Sequence, residues 1–164
     1  MNPLTIVSFE AHGIPVTQGS KKAMRNRHTG KTVMVESSER HGPWRALVSL
    51  AAQEAMETGP TSAAVNLAAV FRFPRPKSHY RSGKNAHLLS DSSPHHHTNT
   101  PDLDKLVRCV CDSMTGIVWN DDSQVASLDG TCKVWVPRGE SGGVTIGVDR
   151  RNPRVELVIE GSDT

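Results

Sequence analysis

The chain has 164 residues, 36% hydrophobic and 22% charged, with a formal net charge of +2. That size suits one domain with a buried core, and no apolar run approaches the length that spans a bilayer. The N-terminus lacks a basic region followed by a long apolar stretch, so no signal peptide is read. Three cysteines without paired spacing point to a reducing, cytoplasmic setting.

Thr5 to Phe9 is a short β-rich run and predicts a strand. Residues 17–31 are rich in Gly, Ser, Asn and Lys and are expected to form a mobile basic loop, with Lys31 to Val35 as a short strand or hairpin arm. Trp44, Leu47, Val48, Ala51, Ala52 and Ala55 recur at helical spacing, with Pro43 in the first turn and Gly59-Pro60 as the stop. That face is read as core. Ala63 to Phe73 is too apolar for an exposed element and predicts a buried strand, stopped by the following Pro-Arg-Pro.

Residues 74–100 form a long polar loop, a length that in a compact domain is usually functional or disordered. A second helix is predicted from about Pro101 to Thr115, on the apolar stripe Leu103, Leu106, Val107, Val110 and Met114. Thr100 is the expected N-cap, with Pro101 in the first turn and Gly116 as terminator. Val125 to Val136 reads as strand, Arg138 to Gly143 as turn, and Val144–Val148 and Arg154–Ile159 as two more strands. The expected fold is α+β: one domain, a mixed sheet of about five strands, and two main helices packed on it.

Charge is unevenly distributed. Residues 17–31 carry Lys21, Lys22, Arg25, Arg27 and Lys31 without an acid, and residues 72–87 carry Arg72, Arg75, Lys77, Arg81 and Lys84 without one. Either run alone is ordinary solvated loop. Two of them beside an acidic cluster suit a polyanion held over a metal site. Lys21, Lys22, Arg25, Arg27, Arg75, Lys77, Arg81 and Lys84 are the candidate DNA contacts.

The acidic cluster spans Thr100 to Gln124. Asp102 and Asp104 lie in the first turn of the second helix, and Asp121 and Asp122 lie in a turn just past its end. Mg²⁺ takes oxygen ligands and typically uses one or two carboxylates plus substrate phosphate, so this is a plausible bed for divalent ions. Acids in a first turn also favour the helix dipole, and Asp-Asp is common in turns. Asp112 is read as a surface partner for Arg108 at i+4. His95-His96-His97 with Cys109 and Cys111 does not make a zinc site: on a helix the two cysteines point about 160° apart. Contact with DNA phosphate or with the edge of the active site fits those histidines better. Tyr80, inside a basic run, could stack on an unpaired base.

The order P-D-L-D, Arg108, C-D-S-M-T-G and V-W-N-D-D-S-Q resembles the RusA family of Holliday junction resolvases, often carried by phages and prophages. The signature there is roughly P-D-L-D-N-L-x-K, a helix ending D-A-L, a G-x-x turn and D-D-x-Q. The close match covers about residues 101–125, and the rest agrees in element order. The resemblance implies that Asp102 and Asp104 are the leading metal ligands and Asp122 the third essential carboxylate, with Asp121 sharing the ligation. Arg108 stands where the family commonly has a catalytic Lys, and Lys105 where Asn is usual; both are candidate catalytic cations. Arg offers a planar fork to phosphate where Lys offers a point charge.

The implied activity is Mg²⁺-dependent hydrolysis of DNA phosphodiesters, with Mn²⁺ as substitute ion. A homodimer would nick a four-way junction at two symmetric sites, leaving 5′-phosphate and 3′-hydroxyl ends. Two other functions fit the residues: a branched-DNA-binding protein that cuts nothing, and a nuclease for another branched or single-stranded substrate.

Overall fold

The computed structural model describes residues 5–17, 21–25, 27–36 and 41–150, so the expected strand Arg154–Ile159 lies outside the described residues. Its centre is the strand over Val65–Pro74, designated β4. Val65, Leu67, Ala69, Phe71 and Phe73 turn to one face and are buried, and the residues between them are half-buried. The period-2 pattern thus puts one apolar row toward the helices. Antiparallel to β4 runs β7, Gly143–Arg150, and antiparallel to β7 runs β1, Thr5–His12, at the sheet edge. Gly143 sits where these strands close in, and a Cβ there would lie 2.5 Å from the Ala11 carbonyl oxygen. Only glycine fits.

The other side of β4 is shared by two short strands, both parallel to it. β5, Val125–Ser127, pairs near the start of β4, and β6, Cys132–Val136, pairs with Val70–Pro74. The single run expected over Val125 to Val136 is therefore divided. Gly130, at φ +84°, turns the chain where Thr131 N donates to the Leu128 carbonyl, and Asn66 holds the break by accepting from Ser127 Oγ and Asp129 N.

Two helices cover the buried face. α1, His41–Ala55, contributes Trp44, Val48 and Ala52 to the core. Leu47, expected on the same face, lies at its edge beside Gly13 and is 47% exposed. α2, Leu103–Met114, buries Leu106, Cys109, Val110 and Met114, and Trp119 just beyond it is fully buried. Arg45 and Ser49 of α1 donate to the carbonyls of Asp112 and Ser113, tying the two helices together near the end of α2.

The basic segment 17–31 is not simply a loop. Lys21–Arg25 forms β2, antiparallel to β3, Thr32–Glu36, in a separate two-stranded sheet. The backbone ladder pairs these lysine-rich residues despite their solvated side-chain type, and Gly30, at φ +66°, helps reverse the chain. The loop over 74–100 is internally bonded. It holds short 3₁₀ turns at Lys77–His79 and Gly83–Asn85, a Tyr80–Leu89 bridge, and a Ser90 N to His79 carbonyl bond.

Candidate active site and nucleic-acid interface

The start of α2 differs from the expected cap. The Thr100–Pro101 peptide is cis, and Asp102, not Thr100, is the N-cap, in an extended conformation at φ −70°, ψ 141°. Pro101 stays outside the helix because its carbonyl accepts from Lys133 Nζ at 2.8 Å, as does that of Asn99. Lys133 on β6 therefore pins the approach to the acidic helix. Its partners lie over thirty residues away in sequence, so strand periodicity alone could not reveal the role.

The Asp102 carboxylate makes no capping bond. It accepts instead from Lys105 Nζ at 2.6 Å, one turn along α2. The hydrogen bond and the ammonium charge hold the Asp102 carboxyl below its usual range and raise the Lys105 ammonium above its own. Both side chains remain about half exposed, at 52% and 50%. They border a hollow of about 470 Å³ between Thr100–Asp102 and the Ile14–Thr17 segment, which precedes the basic hairpin in sequence. Asp104 and Arg108 are exposed on α2. Among the described residues Arg108 forms no ion pair with Asp112, contrary to the expected i+4 pairing. Asp112 is instead engaged through its backbone carbonyl, by Arg45.

The second acidic pair lies at the other end of the helix. Asp122 Oδ1 accepts from Trp119 Nε1 at 2.9 Å and from Thr115 Oγ1. Thr115 is the C-cap of α2. The Asp122 charge also acts on Cys111, whose thiol is pushed up to about 12 by burial first and then by Asp122 and Asp112. Asp121 caps a short 3₁₀ turn over Asp122–Gln124: its Oδ1 accepts from Ser123 N, and Gln124 Oε1 accepts from Asp121 N. Hydrogen bonding from Ser123 holds the Asp121 carboxyl below the usual range. Gln124 completes the anchor by donating to the carbonyls of Thr61 and Ala63. The Asp-x-x-Gln spacing of a capping box is the sequence signal for this turn.

Twelve residues at 1.5 Å per residue set the two ends of α2 roughly 18 Å apart. The structure therefore brings Asp102, Asp104 and Lys105 together, and separates them from Asp121 and Asp122. Among the described residues no group of three or more His, Cys, Asp or Glu stands close enough to share one ion. Asp102 and Asp104 do fit a hard ion that takes one or two carboxylates and completes its shell with water and phosphate oxygen. Asp122 cannot join them within one chain.

The candidate DNA contacts divide similarly. Lys21, Lys22 and Arg25 lie on β2, and Arg27 lies in the exposed turn after it. Lys77 and Lys84 are exposed in the 74–100 loop. Arg81 is exposed but paired with Asp91 at 2.6 Å. Arg75 clamps its own loop: it donates to Ser93 Oγ at 2.8 Å and to the Pro94 carbonyl at 2.9 Å, and its guanidinium stands over Trp135. Trp135, given no role by the sequence reading, also stacks on His97 at 4.0 Å between ring centroids and meets the edge of His79. Of the three consecutive histidines, His97 is buried between Phe73 and Trp135, whereas His95 and His96 are exposed.

The model of the family described as Endodeoxyribonuclease RusA matches residues 13–160, nearly the whole chain. No curated protein gives a significant match.

Proposed function

Because the chain belongs to the RusA family of endodeoxyribonucleases, we propose that it is a Mg²⁺-dependent, homodimeric nuclease that resolves four-way DNA junctions by paired symmetric nicks. The observation that carries this reading is the Asp102–Lys105 pair. A carboxylate at an N-cap position normally caps its helix; this one is left to a cation beside an open hollow. Asp102 and Asp104 would hold the ion, with Mn²⁺ as substitute. When bound, the ion lowers the pKa of water and offsets charge on phosphate oxygens.

The chain's own residues supply the rest. Asp102 favours the charged form of Lys105, so Lys105 would offer a cation to phosphate oxygen bound beside Asp102. Arg108, one turn beyond Asp104 and unpaired with Asp112, offers a planar fork to a neighbouring phosphate. The hairpin cations Lys21, Lys22, Arg25 and Arg27, with Lys77, Arg81 and Lys84 of the long loop, track the backbone without reading sequence. Since α2 keeps Asp122 away from Asp102 within one chain, a three-carboxylate site draws Asp122 from a second copy. This gives the proposed dimer a chemical reason beyond the two-fold symmetry of a junction.

Synthetic four-way junction, duplex and flap DNA, incubated with Mg²⁺, test the proposal. Wild type is expected to nick the junction at paired symmetric sites, leaving 5′-phosphate and 3′-hydroxyl ends. Asp102→Asn and Asp122→Asn are expected to bind the junction and to lose at least about 100-fold in cleavage. Cleavage surviving both substitutions would overturn the metal site. Binding without Mg²⁺-dependent cleavage of any substrate by wild type would favour the non-catalytic reading, and preference for the flap would favour a different branched substrate.

A further inference from the structure

Away from α2, the 74–100 loop and the turn between β6 and β7 enclose two hollows, of about 500 and 530 Å³, that share Tyr80, Ala86 and Arg138 as lining. That is ample for one nucleotide unit. The first hollow adds Lys77 and Arg81, the second His87. Tyr80 is held there by its hydroxyl, which accepts from the Arg138 backbone N–H at 2.8 Å, and by the strand-like bridge from Tyr80 to Leu89. A phenol fixed at both its backbone and its far end has little rotational freedom left to lose when a planar group lies against it. Among the described residues the Arg138 and Lys77 side chains form no hydrogen bond or ion pair, and Arg81 donates to the Leu89 carbonyl at 3.2 Å and to an Asp91 that is 92% exposed.

We propose that this pair of hollows is a binding site for one unpaired nucleotide of DNA, its base against Tyr80 and its phosphate between Arg138 and Lys77. The chemistry is that of a single-strand platform: an aromatic face for a base of any identity, and cations for the backbone beside it. Duplex DNA offers the cations its phosphates but keeps its bases stacked, so it cannot use the ring. Arg138 lies five positions after Lys133, which holds the start of the acidic segment, and two beyond the end of β6. At about 3.3 Å per residue the pocket lies on the order of 16 Å from the Asp102 end of α2, or about five base steps along one strand of a duplex. The site is therefore separate from the scissile position and would hold a base released where paired strands part. It rests on the nuclease reading only in taking DNA as its ligand.

The test uses the full chain in EDTA, so that binding is read without cleavage and a failure of the nuclease reading leaves the result interpretable. The probes are a 12-nucleotide single strand with 2-aminopurine at its centre and the same strand annealed to its complement. Wild type is expected to alter 2-aminopurine fluorescence in the single strand by stacking. Tyr80→Ala is expected to abolish that change and, like Arg138→Ala, to weaken single-strand binding roughly ten-fold while altering duplex binding less than about two-fold. Tyr80→Phe keeps the ring and is expected to keep the fluorescence change. The Arg138 side chain supports no internal bond, so Arg138→Ala gives a reading even if Tyr80→Ala disturbs the loop. Unchanged single-strand affinity in Arg138→Ala, or equal weakening on both probes, overturns the proposal.

Discussion

His97 shows how one side chain can couple a loop to pH. It is 6% exposed, stacked on Trp135 and tilted against Phe73, and its Nδ1 has no partner among the described residues. Burial first, then the Lys133 charge and His79, lower its pKa below the usual value of 6.5. Above about pH 6.5 the ring is neutral both folded and unfolded, so it adds no pH dependence. Below that, the unfolded chain binds a proton that the folded chain refuses. Stability therefore falls as pH drops from about 6.5 toward the folded pKa, by up to about 1.4 kcal/mol per pH unit. His97→Phe keeps a stacking ring without a titrating proton. Urea midpoints at pH 7.5 and 5.5 should show a smaller loss for His97→Phe than for wild type. An equal loss in both would show that His97 does not carry the effect.

Among the elements, the turn after α2 is the most consequential and rests on one amide. Gln124 Oε1 accepts from Asn120 N and Asp121 N, and its Nε2 donates to the carbonyls of Thr61 and Ala63. Gln124→Ala removes four bonds, takes the Gln124 donor from the part-buried Ala63 carbonyl and leaves the Thr61 carbonyl only the longer bond from Asn120 Nδ2, at a cost of about 2 kcal/mol in denaturant unfolding. Gln124→Glu keeps the accepting oxygen but cannot donate, so it separates the two halves of the anchor. It should retain the cap and lose the tether to the start of β4, with a similar loss of stability; wild-type stability in Gln124→Glu would show that the tether contributes little.

The same turn marks how far the sequence could be read. Its Asp-x-x-Gln capping box and the stripe Leu106, Val110 and Met114 are local patterns, and the α2 helix and the buried strand β4 were legible for that reason. The anchor on Thr61 and Ala63 was not, because strand pairing alone brings those carbonyls near. Nor was the start of α2: Thr100 and Pro101 read as cap and first turn by local preference, and Lys133 overrides that preference from across the sheet. The break between β5 and β6 was missed, although Asp129-Gly130 is a local turn signal, and the hairpin in the basic segment had only weak β character against many lysines.

For the whole molecule, the length of α2 is the governing quantity. Asp102 and Asp104 stand at one end and Asp122 at the other, roughly 18 Å away, so a site using all three has to combine two chains. This consequence can be separated from a site in which each chain works alone. In a mixed dimer, one chain carries Asp102→Asn and the other Asp122→Asn. If sites are shared between chains, one site then receives both substitutions and the other neither, so the dimer retains one intact site and nicks a single strand of the junction. If each chain's site is its own, both sites carry a defect and the mixed dimer is as inactive as either parent. The measurement is single-strand nicking of a four-way junction by differently tagged chains, co-purified after co-expression. Recovery of about half the wild-type rate, restricted to one strand per junction, is expected from the geometry of a twelve-residue helix. Recovery of none would mean that Asp102 and Asp122 of the same chain serve the same site, and would overturn the sharing of Asp122 between chains.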